Sequence, residues 1–456
     1  MQEYGFYFWG FLALYGVIMF LFSPKARTIG TFFNGENHIG QSVSTPLLIS
    51  SIFISWIFAK SITNAANLGA KYGIVGGIAY ATYWLCIPVA GFAIYRLRTK
   101  FGAKGLIEFL TTHYGKWAAF AFSAAIFIRL FNEVWSNTAV VGGYYGESGS
   151  VAFISAALVF TLINLIYALR GGLRGSIITD AIQTLVFMIL LVWVISTILP
   201  HNSISTLLST GDWRLDAGVD LLLVAALQLF SYPFHDPVLT DRGFICEEKM
   251  MLKAFVISGI LGFVAIVLFS FVGIHAKLIG LGASGNVPAA LANAMGVGAM
   301  FLMTVVMVIA AGSTLDSAFT SLSKLAGRDL ADLLGRSLGQ KSISVGMGAM
   351  VLFALVGNVP MLFGTDILKA TTISGTMIIG LAPVFMLHGF IKPTKLGFHL
   401  SFWTGIVLGV LLVFWELPSW LKIGDGASAL LLGVNFYGLI LCVILYWLPS
   451  CWIKRD

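Results

Sequence analysis

Apolar residues in this chain come in long blocks, separated by short polar stretches, and the blocks recur along its whole length. Each block is near the roughly 20 residues a helix needs to cross the hydrocarbon of a bilayer. A segment in lipid must satisfy its own backbone hydrogen bonds, so the blocks predict helices and not strands. Thirteen runs are expected: Gly5 to Phe22, Pro46 to Gly69, Ile74 to Ile94, Ala118 to Val140, Val151 to Leu169, Ser176 to Leu199, Val219 to Phe234, Ala254 to Ala276, Gly298 to Leu322, Ile343 to Phe363, Ile367 to Phe390, Phe398 to Trp415 and Ala427 to Leu448. The first run follows Glu3, where a signal peptide would carry basic residues, and it is expected to remain as a helix.

Two runs are interrupted by polarity that a lipid-facing helix does not tolerate. The second holds Ser50, Ser51 and Ser55, then Lys60, Ser61, Thr63 and Asn64. The seventh reads LQLFSYPFHDP, in which Pro233 and Pro237 each remove a backbone donor beside Gln228, Ser231, Tyr232, His235 and Asp236. Broken helices of this kind expose carbonyls and half-helix ends to ion and solute at mid-membrane. Their spacing predicts two five-helix halves, the second to the sixth run and the seventh to the eleventh, each opening on a break.

Composition agrees with a membrane chain: 58% of residues are hydrophobic and 10% charged, with 50 Gly and 36 Phe. The formal net charge of +7 is not a nucleic-acid signal, because the basic residues sit in short loops, where they set topology. Lys71, Arg214, Lys277, Lys369 and Lys422 fall on one side of the alternating runs. The remaining loop Lys and Arg fall on the other, which places the N-terminus outside and the C-terminus in the cytoplasm. Lys60 and Arg129 lie inside runs. Cys86, Cys246, Cys442 and Cys451 form no CxxC pair and are expected to be free thiols.

The ninth run, AAGSTLDSAFTSLSKLAGRDL, carries Ser313, Ser317 and Ser321 at i, i+4 and i+8, with Thr314, Asp316 and Thr320 widening the same face. Hydroxyl, carbonyl and carboxylate oxygens suit a small hard cation such as Na⁺; the alternative is that small hydroxyl residues pack helices closely. Upstream, YALRGGLRGSIITDAIQ is expected to be a Gly-rich inner loop leading into the sixth run, with Asp180 a turn inside. There Asp180 either pairs with Arg170 or Arg174 or marks a cation exit path. Arg129 and Glu133, at i and i+4, predict a local ion pair. Lys60 then either meets an anionic substrate group or bridges to Glu133. Its depth argues against pairing with Asp180. Trp56, Phe58, Tyr232 and Phe234 can sandwich a small solute, or simply pack. His235 and Asp236 read as a turn at Pro237 sooner than as a proton shuttle.

GGLRGSIITDAIQ and AAGSTLDS resemble signature segments of the sodium:solute symporter family, relatives of sodium/proline, sodium/sugar and sodium/sialic acid symporters that share the LeuT-like inverted-repeat fold. The resemblance covers nearly the whole chain and implies an all-α integral membrane protein with a 5+5 core whose first and sixth core helices are broken. The core then spans 46–390, with a peripheral helix and loop in 1–45 and two peripheral helices in 391–456. It implies a Na⁺ site from the side chains of Ser313 and Thr314, the carbonyl of Ala310 and the carbonyls of Ser50 and Phe53. A second cation or exit site would use Asp180, Ser313, Asp316 and Ser317. Asp316 stands where the family has a plain hydroxyl, which leaves H⁺ as the alternative coupling ion. Substrate contacts are expected from Trp56, Lys60, Glu133, Gln228 and Tyr232, to a small carboxylate or small polar solute. The chain is expected to act in the cell membrane as a monomer among lipid, with no nucleic-acid partner and no enzymatic centre. A channel would want a pore-lining ring, and a sensor an appended domain; neither pattern is seen.

Overall fold

The computed structural model describes residues 2–282, 285–363 and 373–452. Among the described residues the chain is helical throughout, with one isolated bridge, His388 to Ile391, as its only extended pairing. The principal helices are α1 (Gln2–Phe22), α2 (Thr45–Ser55), α3 (Ala59–Tyr72), α4 (Ile74–Phe101), α5 (Leu106–Tyr114), α6 (Lys116–Gly143), α7 (Val151–Ile198), α8 (Val219–Gln228), α9 (Glu248–Leu278), α10 (Val297–Lys324), α11 (Lys341–Val356), α12 (Lys395–Phe414) and α13 (Ala429–Trp447). Nine helices among the described residues are long and apolar enough to span a membrane, and the bent pair α2 and α3 adds a tenth. The count of thirteen is therefore not confirmed among the described residues. Part of the run Ile367 to Phe390 lies outside the described residues, as does Lys369.

The second run breaks as its polarity requires. α2 opens on Ser44 with Pro46 in its first turn and ends at Ser55, the chain unwinds through Trp56 to Phe58, and α3 leaves at 59°. No Gly or Pro causes this. The Ser55 hydroxyl donates back to the Ser51 carbonyl at 2.6 Å, which competes with the helix ladder. Asn137 of α6 accepts from the Ala59 amide at 3.2 Å and so caps α3 from a neighbouring helix.

The seventh run is shorter than expected. α8 stops at Gln228, where the expectation ran to Phe234, because the Pro233 ring excludes the Leu229 carbonyl from a helical bond. A 3-10 turn, Tyr232–His235, and a short helix, Pro237–Thr240, carry the chain onward, and the Asp236 carboxylate accepts from the Val238 amide at 3.0 Å as the cap.

α7 replaces an expected loop. The runs Val151 to Leu169 and Ser176 to Leu199 join in one 48-residue helical path, kinked at Gly172 with φ 50° and ψ −150°. At about 1.5 Å per residue the path is roughly 70 Å, twice what a bilayer core holds, so its two arms are the two expected spans. The kink needs glycine twice over, since the φ is left-handed and a Cβ would run into the Phe32 backbone.

Large apolar side chains at Phe6, Leu21, Leu185, Val192, Leu355 and Phe414 remain exposed on the outside of the bundle, as a lipid-facing surface requires. Inside, α3 and α9 pack along their length with glycine at the closest points. A Cβ at Gly69 would strike the Ser270 carbonyl, and one at Gly273 the Ala66 carbonyl. Gly273→Val is expected to destabilise the protein by about 2 kcal/mol through overpacking, seen as a lower melting temperature in detergent. Gly298→Val, where the added carbon meets nothing, should leave the melting temperature near that of the parent.

Candidate functional site

Two buried polar networks flank the break between α2 and α3. The first joins α3, α6 and the segment after α8. Lys60 donates to Glu133 Oε1 at 2.7 Å and to the Ser136 hydroxyl at 3.0 Å. Arg129 pairs with Glu133 one turn along α6 and donates to Asp236 Oδ2 at 2.8 Å and 3.2 Å, while Asn137 donates to Glu133 Oε2 at 3.0 Å. Two cations and two carboxylates, all buried, therefore balance. Of the readings open for Lys60, the geometry shows the bridge to Glu133, and there is no Lys60 to Asp180 pair. Asp236 does more than turn the chain, since it caps Pro237–Thr240 and anchors Arg129.

Next to this network, Trp56, Phe58, Lys60, Ser61, Tyr80, Tyr83, Trp84 and Tyr232 line a cavity of 20 Å³. The Trp56 and Tyr232 rings meet edge to face at 6.2 Å, and the Lys60 ammonium lies 5.0 Å from the Phe58 ring centre. The indole N–H groups of Trp56 and Trp84 are buried without protein partners. Trp56, Lys60 and Tyr232 thus share one small cavity. Glu133 stands behind it. Gln228 is drawn elsewhere: Tyr83 donates to its Oε1 at 2.8 Å, and its Nε2 donates to Asn435 of α13 at 2.9 Å. Phe234 stacks on Phe385 and not on the cavity.

The second network joins α2, α7, α10 and the turn after Pro237–Thr240. Asp180 accepts from the Ser51 and Ser313 hydroxyls, each at 2.5 Å, and from Arg242 Nη2 at 3.1 Å. Arg242 also donates to the Ser51 hydroxyl at 2.7 Å, to the Ser317 hydroxyl at 2.7 Å and to the Val238 carbonyl. Asp316 accepts from Ser176 at 2.8 Å and from Thr179 at 3.0 Å, and the Ser176 and Ser317 hydroxyls are 3.0 Å apart. All of these side chains are buried.

The expected partners of Asp180 are occupied elsewhere. Arg170 donates to the Ser23 carbonyl at 2.7 Å and Arg174 to the Gly35 carbonyl at 3.3 Å. Both lie more than a helical turn before Asp180 on α7, which carries them out of reach. Arg242 was grouped with the loop residues, and its burial is the chief feature that sequence reasoning missed. The signal that could have found it is the unpaired charge of Asp180 itself.

Thr314 Oγ1 lies 3.2 Å from both the Ser55 and the Ala310 carbonyl oxygens. The carbonyl that α2 offers to α10 at the break is therefore that of Ser55. Ser50 turns its carbonyl to Thr184 of α7 at 3.1 Å, and the Phe53 carbonyl accepts from the Trp56 amide at 3.3 Å. Hydroxyl and carbonyl oxygens with a carboxylate one residue away are hard donors that fit an alkali cation. Among the described residues no group of His, Cys, Asp and Glu could hold a transition metal.

A larger polar cavity of 490 Å³ opens beside these residues, lined by Glu36, Lys104, Asp241, Ser321, Lys324, Arg328 and Asp329 among others. The hydroxyl stripe of α10 leads into it: Ser313 bonds to Asp180, Ser317 to Arg242, and Ser321 lines the cavity.

This arrangement has the fold of two solved transporters. A solved Na⁺-coupled sialic acid symporter, in a substrate-bound outward-open state, superposes with a TM-score of 0.72 at 15% identity, over 99% of this chain and 98% of that one. Mhp1, a nucleobase-cation-symport-1 family transporter, gives 0.60 at 13% identity over 94% of both chains. No family model matches the chain. By sequence, the chain is similar to the urea active transporter of Saccharomyces cerevisiae, 28% identical over 33% of this chain and 21% of that protein. It is also similar to the urea-proton symporter DUR3 of Oryza sativa subsp. japonica, 27% identical over 41% and 26%, and to the sodium/pantothenate symporter of Escherichia coli, 23% identical over 39% and 38%. The matches thus span about a fifth to two fifths of the length of these relatives. These proteins are solute symporters and transporters, in keeping with the resemblance carried by the two signature segments.

Removing one member of a buried ion-pair network leaves its partners charged and unsatisfied, at a cost of roughly 3–5 kcal/mol. Glu133→Gln is expected to lower thermal stability by about that amount. Lys60→Met should cost less, because Arg129 still contacts both Glu133 and Asp236, whereas Glu133→Gln leaves Lys60 with no carboxylate partner. Equal losses in thermal melts would contradict this account of the network.

Proposed function

We propose that the protein is a sodium-coupled symporter that imports a small polar solute by alternating access. The observation that carries this reading is the bridge from Thr314 of α10 to the Ser55 carbonyl at the α2 break, with Ala310 and Ser313 beside it. In this reading Na⁺ is held by the Thr314 and Ser313 hydroxyls and the Ser55 and Ala310 carbonyls. Ser55 replaces Ser50 and Phe53 as the contribution of α2. Joining the two elements through the ion favours one state over the other, and only such differential affinity lets ion binding drive transport.

The solute site in this reading is the aromatic cavity at Trp56, Tyr80 and Tyr232, which at 20 Å³ has room for about one water and must widen to admit a solute. Lys60 is already satisfied by Glu133 and Ser136, which favours a neutral polar solute over a carboxylate. Unpartnered indole N–H groups beside aromatic faces suit a planar carbonyl compound of the urea type. Both leave along the hydroxyl stripe into the polar cavity. In this reading that cavity faces the cytoplasm and the N-terminus lies outside, as the Lys and Arg distribution favours, in a plasma membrane protein that works as a monomer.

Proton coupling is the second reading. It is favoured by Asp180 and Asp316 on the same path and by the similarity to a urea-proton symporter.

A ligand that binds only the folded state raises stability by mass action, about 2.7 kcal/mol at a hundred times Kd. Thermal melts across ureas, amides, amino acids, sugars and carboxylates, each in NaCl and in KCl, are expected to show a urea- or amide-type hit only with Na⁺. Ser313→Ala with Thr314→Ala should abolish it. Hits that ignore Na⁺ and follow pH would instead support proton coupling.

A further inference from the structure

The second cation site expected from the sequence comprised Asp180, Ser313, Asp316 and Ser317, and the structure assigns part of it to a group of the chain's own. We infer that the Arg242 guanidinium is a resident cation filling this position, so that the protein binds no second metal ion there. The inference rests on the sodium-coupled reading for the first site only.

Arg242 is 0% exposed and donates to four oxygen atoms: Asp180 Oδ2, the Ser51 hydroxyl, the Ser317 hydroxyl and the Val238 carbonyl. A carboxylate, two hydroxyls and a carbonyl are the donors an alkali ion would use. Here they converge on a guanidinium. The one negative charge of Asp180 is matched by the one positive charge of Arg242. A Na⁺ sharing that carboxylate would be held beside a second cation in a poorly screened interior, where like charges repel most. Asp316 makes no hydrogen bond or ion pair to Arg242; its carboxylate accepts from Ser176 and Thr179 on α7.

The position of Arg242 also explains what the resident charge achieves. It sits on the turn Asp241–Phe244 that follows the broken α8 segment, and its bonds reach α2, α7 and α10 at once. A bound ion would tie those elements only while bound. Arg242 ties them permanently, in a planar fork that a Lys ammonium cannot reproduce bond for bond.

The test is the number of Na⁺ ions bound by the purified full-length chain, counted with radioactive Na⁺ in equilibrium binding. Wild type is expected to bind one. Arg242→Gln should bind two, with the second displaced by guanidinium chloride at low millimolar concentration and lost in Arg242→Gln/Asp180→Asn. Arg242→Lys, which keeps the charge, should bind one. Two ions in folded wild type would overturn the inference whether or not the variants fold, as would an unchanged number in Arg242→Gln. If wild type binds none and Arg242→Gln binds one, the resident-cation assignment stands and the sodium reading of the first site fails.

Discussion

The structure depends on the rule that a charge taken out of water must find its partner inside the protein. Among the described residues, seven buried charged side chains form two networks beside the two broken segments, six of them in ion pairs and Asp316 held by the Ser176 and Thr179 hydroxyls. Lys60, Glu133, Arg129 and Asp236 tie α3 to α6 and to the chain after α8. Asp180 and Arg242, with Asp316 close by, tie α2 to α7 and α10. Unwound backbone at this depth would be prohibitively costly if its polar groups were left bare. The networks supply those partners, with Asn137 capping α3 and Asp236 capping Pro237–Thr240.

The same breaks create the chemistry. Because α2 stops at Ser55, its last carbonyl is free to face Thr314; because α3 restarts at Ala59, Trp56 and Phe58 are carried into the aromatic cavity. In the proposed reading the cation position and the solute cavity are consecutive turns of one interrupted helix, so that ordering one orders the other. From there Ser313, Ser317 and Ser321, one per turn of α10, run to the large cavity.

Much of this was legible in the sequence, for reasons that differ by feature. Long apolar runs mark helices because lipid leaves few alternatives, and the polarity of the second run and the prolines of the seventh marked the breaks. The Arg129 to Glu133 pair and the serine stripe of α10 follow from helical spacing alone. Arg242 did not show itself, since a basic residue after a polar turn looks like a loop residue until the fold brings α2, α7 and α10 around it. The Ser50 and Phe53 carbonyls turn to other partners for a related reason: which carbonyl an unwound turn offers depends on the neighbours that satisfy the others, here Thr184 and the Trp56 amide. Gln228 looked like a solute contact because of its place at a break, yet it is held by Tyr83 and Asn435. The loop expected around Gly172 became a kink because a single left-handed glycine is enough to redirect a helix.

Coupled transport requires that a cation gradient drive a small neutral solute across the membrane. Uptake of labelled urea and of a panel of amides by proteoliposomes measures this directly, with an inward Na⁺ gradient, with an inward proton gradient at equal Na⁺, and with neither. Accumulation above equilibrium driven by Na⁺ alone, and lost in Thr314→Ala, is the predicted result. Accumulation driven by the proton gradient alone would move the coupling ion to the carboxylates of α7 and α10. Solute that only equilibrates, at the same rate under all three conditions, would contradict coupled transport altogether.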